Sequence, residues 1–520
     1  MSDNMILVLD FGGQYCHLIS RRVRDAGVYS KIKPFDIPLD ELKKMPVKGV
    51  IFSGGPGSVY QEGDPNLPRE TLDWFISNKI PMLGLCYGHQ LIAYQMGGKV
   101  ESRKNKEYGK TKLKVIKPIG VLESVESEEL VWMSHGDQVT SLPDGYEILA
   151  STETSPIAAF QSSDRLFHGL QFHPEVRHTL KGQLILENFI FKICKCEKNW
   201  SIDNWTGEAI KRIKEEVGNG HVLLGLSGGV DSTVVSVLMQ KAIGDQLHCV
   251  FVDNGVMRKN EAKDVEDYFK NVLNYKEFYR VNAQDNFLTK LAGVTDPEEK
   301  RKIIGYTFIE VFEEKADELA KKFGKLDFLA QGTIYPDRVE TAATSKSAAK
   351  IKSHHNLTLP EKMKLKVIEP IKDLYKDEVR KVGISLGIPG DIINRHPFPG
   401  PGLAVRCASE VKKEYIDILR DADAILIEEI KNAGIYNELW QAFAVFLPVK
   451  SVGVMGDFRT YEYTCAIRIV ESKDAMTANF AHLDWGLLER ISTRIINEVK
   501  GINRVVYDIS NKPPSTIEFE

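Results

Sequence analysis

The sequence predicts an α/β chain: two consecutive parallel-sheet domains followed by a smaller α+β domain. Three observations carry that reading. Short apolar runs alternate with stretches of helical periodicity, first from residue 6 to 92 and again from 222 to 330, the pattern of strand–helix–strand units feeding a parallel sheet. In each series an apolar run ends in a glycine-rich turn, Gly54-Gly55-Pro56-Gly57 and Ser227-Gly228-Gly229, and ligands of such sheets collect at the carboxyl ends of the strands. Finally, Arg395-His396-Pro397-Phe398-Pro399-Gly400-Pro401-Gly402-Leu403 is too rich in Pro and Gly for helix or strand. It marks a rigid crossing into a last domain. A chain of 520 residues has room for about three domains, expected at 1–198, 199–395 and 396–520.

Taken in order, Ile6–Asp10, Val28–Ile32, Val50–Ser53 and Pro81–Leu85 are strands because each is a short apolar run closed by a turn signal. A helix runs through Leu18–Val23, and another starts at Tyr87 directly behind Cys86. After the polar stretch Lys192–Lys198, a helix over about 205–217 leads into the strand that begins at Val222. Leu247–Gly255, with its polar end, and Phe328–Ala330 are the next strands, with helices over 261–270 and 297–323, the second laced with Glu/Lys pairs. Glu378–Leu386 is helical. The last domain has helices near 411–433 and 484–499, strands near 445–454, 464–470 and 505–509, and a Lys512-Pro513-Pro514 tail that is either frayed or docked.

Composition narrows the classes. With 43% hydrophobic and 27% charged residues the chain is ordinary soluble protein, and a net charge of −4 gives no general pull toward nucleic acid or an anionic membrane. Seven cysteines, an odd number, form no disulfide framework and suggest a reducing compartment. No apolar run approaches the roughly 20 residues of a membrane span. A cytoplasmic location is expected.

Two stretches carry chemistry. In Val222-Leu223-Leu224-Gly225-Leu226-Ser227-Gly228-Gly229-Val230-Asp231-Ser232-Thr233, a buried strand meets a helix through consecutive glycines. Backbone N–H groups converge there and the helix N-terminus adds partial positive charge, so the turn suits phosphate. It lacks the Gly-Lys-[Ser/Thr] ending of a Walker A loop. In Gly84-Leu85-Cys86-Tyr87-Gly88-His89-Gln90, a sharp strand–nucleophile–helix elbow exposes a thiol to the helix N–H groups. Leu170-Gln171-Phe172-His173-Pro174-Glu175 supplies the base. Proline keeps that segment extended, alternation puts His173 and Glu175 on one side, and Glu175 can hold the imidazole that takes the thiol proton. Residues 341–353 are small and lysine-dotted and read, with His354-His355-Asn356, as a mobile lid over ATP. Lys350, Lys352, His354 and His355 are its candidates. No further soft ligand stands at zinc spacing. Asp337 and Glu340 are candidates to join Asp231 as oxygen ligands of Mg²⁺. Cys194 and Cys196 lack a second pair and read as incidental.

These motifs carry resemblances. Ser-Gly-Gly-Val-Asp-Ser resembles the pyrophosphate loop of the N-type ATP pyrophosphatases, which implies an adenine-nucleotide α-hydrolase-like fold and ATP binding by Ser227, Gly228, Gly229, Val230, Asp231, Ser232 and Thr233. Residues 1–197 resemble a class I glutamine amidotransferase domain, implying Cys86 as nucleophile, His173 as base and Glu175 as its partner, with the N–H groups of Gly55 and Tyr87 as oxyanion hole. Ser134-His135-Gly136-Asp137 resembles the border of that family's glutamine pocket; His135 is open to a pocket or a structural role. With His-Pro-Phe-Pro-Gly-Pro-Gly-Leu and the Lys-Pro-Pro tail, the whole chain resembles the glutamine-hydrolysing GMP synthases. That implies amination of XMP with ATP and glutamine, releasing AMP and pyrophosphate. It also implies an XMP site of Arg258, Gln441, Arg504, Lys512 and Glu518, and a homodimer through the last domain. Two positions depart from that family. Leu357-Thr358-Leu359-Pro360 stands where it has Gly-Gly-Leu, and Phe519 stands where it has tryptophan. The rivals are another ATP pyrophosphatase, such as an NAD or argininosuccinate-type synthetase, which the middle domain alone resembles, and a nucleotide-sensing module, against which the intact Cys/His/Glu set argues.

Overall fold

The computed structural model describes residues 4–335, 365–472 and 477–520. The chain divides into two compact units, Met1–Trp205 and Thr206–Glu520.

In the first unit, among the described residues, nine strands form one sheet in the order β2-β1-β3-β4-β9-β8-β7-β5-β6. These are β1 (Met5–Asp10), β2 (Ser30–Pro34), β3 (Val47–Phe52), β4 (Met82–Leu85), β5 (Lys99–Val115), β6 (Glu128–Ser141), β7 (Tyr146–Ser151), β8 (Ala159–Ser162) and β9 (Phe167–Leu170). The half from β2 to β9 is parallel. The half from β9 to β6 is antiparallel, an extension that the strand–helix alternation did not carry. Central strands β1 and β4 are buried along almost their whole length, as parallel strands covered on both faces must be. Two apolar clusters fill the two sides of the sheet. One contains Ile6, Val8, Ile19 and Leu83; the other contains Leu7, Leu9, Phe52 and Met82. Period-two alternation along β1 assigns its residues to the two in turn.

The second unit holds a five-stranded parallel sheet in the order β12-β11-β10-β13-β14, built from β10 (Val222–Leu226), β11 (Leu247–Asp253), β12 (Phe278–Asn282), β13 (Phe328–Ala330) and β14 (Lys366–Ile368). The strand order reverses beside β10, so ligands are expected at its carboxyl end. A second sheet pairs β15 (Gln441–Met455) with β16 (Phe458–Ser472) antiparallel. It adds β17 (Ala478–Phe480) and, in parallel with β16, β18 (Ile502–Asp508). Helices Lys413–Asn432 and Trp485–Glu498 pack on this sheet through Ile416, Leu419, Leu426, Leu487, Ile491 and Ile495. That core runs without a break into Leu223, Val250 and Leu329 of the parallel sheet, so the two sheets of this unit share one interior. Helix Pro297–Phe323 spans the range its pattern predicts. It starts at Asp296, whose side chain accepts from Glu299 N, with proline in the first position.

Candidate active site

Cys86 sits where β4 gives way to helix Tyr87–Gln95, with φ at +51°. That left-handed backbone is costly for a residue with a Cβ and turns the thiol out of the sheet. Cys86 N is tied to Leu170 O at 2.8 Å, so β9 brings the downstream base to the elbow. Tyr87 is the first helical residue, and its N–H belongs to the first turn, which finds no intrahelical acceptor. Gly55 lies in the turn after β3 with its backbone against the Tyr87 ring.

His173 and Glu175 meet as expected, Nδ1 to Oε1 at 2.7 Å, both buried. The route differs from the expectation. β9 ends at Leu170, and His173-Pro174-Glu175 passes through a turn rather than an extended strand; the turn, not alternation, puts both side chains on one side. Burial works against a charged imidazole here. The Glu175 carboxylate and the hydrogen-bonded Cys86 thiol outweigh it and hold His173 well above its usual value. The Tyr15 ring meets the imidazole edge-on at 5.1 Å, and Arg22 Nε donates to Glu175 O at 3.0 Å. The His135 ring is fixed at both nitrogens, by Asp137 O at 2.9 Å and by Glu107 Oε2 at 3.0 Å, and Ser134 O lies 3.5 Å from the Cys86 sulfur. All seven cysteines are free and buried; burial pushes the Cys194 and Cys196 thiols up, consistent with an incidental role.

The 227–233 turn closes on itself. Ser227 Oγ and Ser232 Oγ lie 3.0 Å apart, Ser227 Oγ accepts from Gly229 N at 3.3 Å, and Ser232 and Thr233 hydroxyls donate to Gly229 O at 3.1 and 2.9 Å. Gly228 has φ +74°, which orients successive N–H groups into one concavity ahead of helix Val230–Ile243. Lys376 Nζ donates to Asp231 Oδ2 at 2.6 Å. Asp231 Oδ1 is buried with no partner among the described residues. Arg395 bridges the loop to a neighbouring helix, donating to Gly228 O at 3.1 Å and to Glu261 Oε1 at 2.7 Å. Sequence reasoning missed Lys376 and Arg395, because a lone cation in a helical or Pro-rich stretch has no pattern of its own. Asp337, Glu340, Lys350, Lys352, His354 and His355 lie outside the described residues. Among the described residues, no three His, Cys, Asp or Glu side chains form a metal cluster.

Elsewhere in this unit, Gln441 Nε2 donates to Glu518 Oε1 at 2.6 Å and to Pro397 O at 3.0 Å. Arg406, fully buried, adds two bonds to the same carboxylate at 3.0 and 2.9 Å. Phe398 lies between the guanidiniums of Arg258 and Arg406, 5.0 and 5.1 Å from its centroid. Arg258 is also paired with Asp423 at 3.2 Å. Arg258, Gln441 and Glu518 are thus brought together. Arg504 holds an exposed position on β18 in register with Thr464, and Lys512 bridges to Ala478. The tail is docked. Lys300 Nζ donates to Glu520 Oε2 at 2.5 Å and Arg301 Nη2 to Glu520 O at 2.7 Å, while buried Arg468 donates to Ser510 O at 2.5 Å and Thr516 O at 3.0 Å.

Comparison with known proteins agrees with this layout. Family models described as Glutamine amidotransferase class-I, NAD synthase and GMP synthase C terminal domain match residues 7–193, 204–296 and 428–519. A curated GMP synthase [glutamine-hydrolyzing] of Brachyspira hyodysenteriae is 52% identical over 99% of both chains. Those of Aquifex aeolicus and Marinobacter nauticus are 53% and 54% identical over the whole of this chain and 100% and 99% of their own. No helix among the described residues is long and apolar enough to cross a membrane. With likeness at this level from end to end, the chain belongs to the glutamine-hydrolysing GMP synthase family.

Proposed function

We infer that this protein aminates XMP to GMP, using ATP and ammonia released from glutamine, with AMP, pyrophosphate and glutamate as the other products. The observation that carries this reading is the presence on one chain of a thiol–imidazole–carboxylate set and of a Ser/Gly phosphate nest. In the first unit, Cys86 attacks the glutamine carboxamide while the N–H groups of Gly55 and Tyr87 take the oxyanion. His173, oriented by Glu175, gives its proton to the departing ammonia, and water then cleaves the thioester. In the second unit, residues 227–233 and Lys376 hold the pyrophosphate end of ATP while the XMP O2 oxygen attacks the α-phosphorus. Ammonia then displaces AMP from the adenylylated base. Free ammonia is mostly protonated at neutral pH, so transfer works best when both sites are closed to water.

Mg²⁺ fits the loop: Asp231 offers one buried, unpartnered carboxylate oxygen among the described residues, the hard donor this ion takes. Asp337 and Glu340 are its further proposed ligands; bound with ATP, the ion would offset phosphate charge. The XMP site is assigned to Arg258, Gln441, Arg504, Lys512 and Glu518, and the lid to Lys350, Lys352, His354 and His355. The chain works as three domains, 1–198, 199–395 and 396–520, the last two sharing a core. Val452, Val454, Phe458 and Tyr461 expose apolar surface on the β15–β16 hairpin, which supports a homodimer through the last domain. Seven free thiols support a cytoplasmic setting.

The test is to incubate the protein with ATP, Mg²⁺, glutamine and a panel of acceptors. AMP and pyrophosphate forming only with XMP is expected; ADP and orthophosphate would overturn the reading.

A further inference from the structure

Gln171 is fully buried, two residues before His173, and its side chain is set between Cys86 and Gln90. The orientation of its amide follows from an acceptor that cannot be reversed. The main-chain oxygen of Asp137 only accepts, and it lies 2.6 Å from the Gln90 amide nitrogen, which is therefore the donor. The same nitrogen lies 3.2 Å from the Gln171 amide oxygen. With its oxygen committed to Gln90, Gln171 turns its NH₂ toward the Cys86 sulfur, at 3.8 Å, within reach of an N–H···S hydrogen bond. Asp137 is itself held by Ser58 Oγ at 2.5 Å on its carboxylate, and Gln171 N is fixed to Ala158 O at 2.9 Å. The whole relay is buried or half-buried, so water does not compete for these donors.

We propose that Gln171 is a further catalytic residue of the glutaminase site: its amide N–H, aimed by Gln90 and Asp137, donates to the Cys86 sulfur and stabilises it as thiolate. The proposal rests on Cys86 being the nucleophile. Its physical basis is that a donor held in place in a dry site favours the charged form of its acceptor without reorganising when charge appears. The same bond assists twice, once when the thiol gives up its proton ahead of the attack and again when the sulfur leaves the thioester as thiolate. Ser134 O, 3.5 Å from the sulfur, is an acceptor and cannot do this. The imidazole supplies a charge but turns over its proton during the reaction; the amide donor is constant throughout.

The experiment compares the full-length parent with Gln171→Met, which keeps the volume and removes the donor, and Gln171→Glu, which keeps the shape and replaces the NH₂ by an acceptor. The rate of Cys86 alkylation by iodoacetamide is followed against pH, with the alkylated residue located by mass spectrometry, and glutaminase kcat and KM are measured beside it. Expected for both variants is an upward move of about one pH unit in the alkylation midpoint. At pH values below both midpoints kcat should fall up to tenfold with it, KM for glutamine being little changed, since one unit there corresponds to a tenfold change in the thiolate fraction. A loss that is only structural would lower the amplitude or raise KM and leave the midpoint in place. If the Met variant loses its thermal transition, the Glu variant decides. Midpoints superposing on the parent in a folded variant would overturn the role of Gln171. If the parent itself loses no glutaminase activity on alkylation of Cys86, the nucleophile assignment fails first, and the proposal with it.

Discussion

Cys86 and His173 show how a site residue can be legible from local sequence. A strand, a single polar residue and a helix written in direct succession leave that residue on a tight turn, and the structure bears the strain at φ +51°. Cys86→Ala should therefore abolish glutamine-driven synthesis, by three orders of magnitude or more on the scale of roughly 10⁶ for removing a nucleophile. Ammonia-driven synthesis should remain, and loss of both in a folded variant would contradict separate sites. Asp231→Asn should lower AMP formation by about 100-fold, on the scale of losing one electrostatic contact, while glutamine hydrolysis continues; unchanged AMP release would remove the aspartate from the phosphate chemistry. Gln171, Lys376 and Arg406 were not legible. Lys376 and Arg406 are single polar residues in stretches without a motif, and Gln171 stands inside the His-Pro-Glu segment with nothing local to mark it; the meaning of each comes from a partner between 85 and 145 positions away. Buried histidines give the first unit a pH dependence. Burial lowers His89 to about 3 and His168 to about 4, so both stay neutral when folded but gain a proton near 6.5 when unfolded. Their contribution is complete above about 6.5 and is lost as pH falls toward those lower values. A melting temperature measured from pH 7 to 4.5 should fall steadily in this unit; a flat profile would mean that these rings are protonated in the fold.

Elements were read well wherever periodicity and punctuation coincide. Helix Pro297–Phe323 has an Asp cap, proline at its start and glycine after its end, and its bounds match expectation. The segment 99–162 fared differently. It contributes the long strands β5 and β6 and the short strands β7 and β8, whose pairing is interrupted by register shifts between Ser102 and Glu107 and between Ile148 and Ala150, so no clean period of two survives. The Pro/Gly crossing was legible as non-helical and non-extended up to Pro401, where it gives way to a short 3₁₀ helix, Gly402–Arg406, but its purpose was not. Gly402 takes φ +62°, and a Cβ there would lie 2.3 Å from Val256 O, because Leu403 N must reach that same oxygen at 2.7 Å. Gly402→Ala should destabilise the second unit by about 2 kcal/mol or more, from left-handed strain and a backbone clash together. Urea midpoints would show it; a loss below about 0.5 kcal/mol would indicate that the crossing adapts freely. The docked tail is held by one antiparallel bridge, Lys512 to Ala478, and beyond it by side chains. Arg468→Met, which removes the donors to Ser510 O and Thr516 O, should make residues 509–520 the first site of limited proteolysis.

For the molecule as a whole, two compact units divide at Trp205 and Thr206, close to the polar stretch where the sequence shifts from one series of strands to the next. The exposed side chains of Val452, Val454, Phe458 and Tyr461 are between 60% and 79% accessible, large apolar surface of a kind that marks interfaces. If the proposed homodimer forms through this surface, the parent should be a dimer in light scattering at micromolar concentration and Val452→Glu combined with Phe458→Ser a monomer; a variant dimer of unchanged stability would move the interface elsewhere, and a monomeric parent would overturn the dimer. The sequence by itself determined the order of the two parallel sheets, the thiol elbow, the phosphate turn and the family, since all of these are written in contiguous residues whose local physics is self-sufficient. Only the tertiary structure decided that the first sheet continues antiparallel, that Arg258 and Arg406 meet at Phe398 while Arg406 and Gln441 share the Glu518 carboxylate, and that the tail is clamped. It alone also turned a glutamine amide toward the sulfur. Each of these depends on which distant donors and acceptors burial forces to satisfy one another, and burial belongs to the fold, not to any stretch of it.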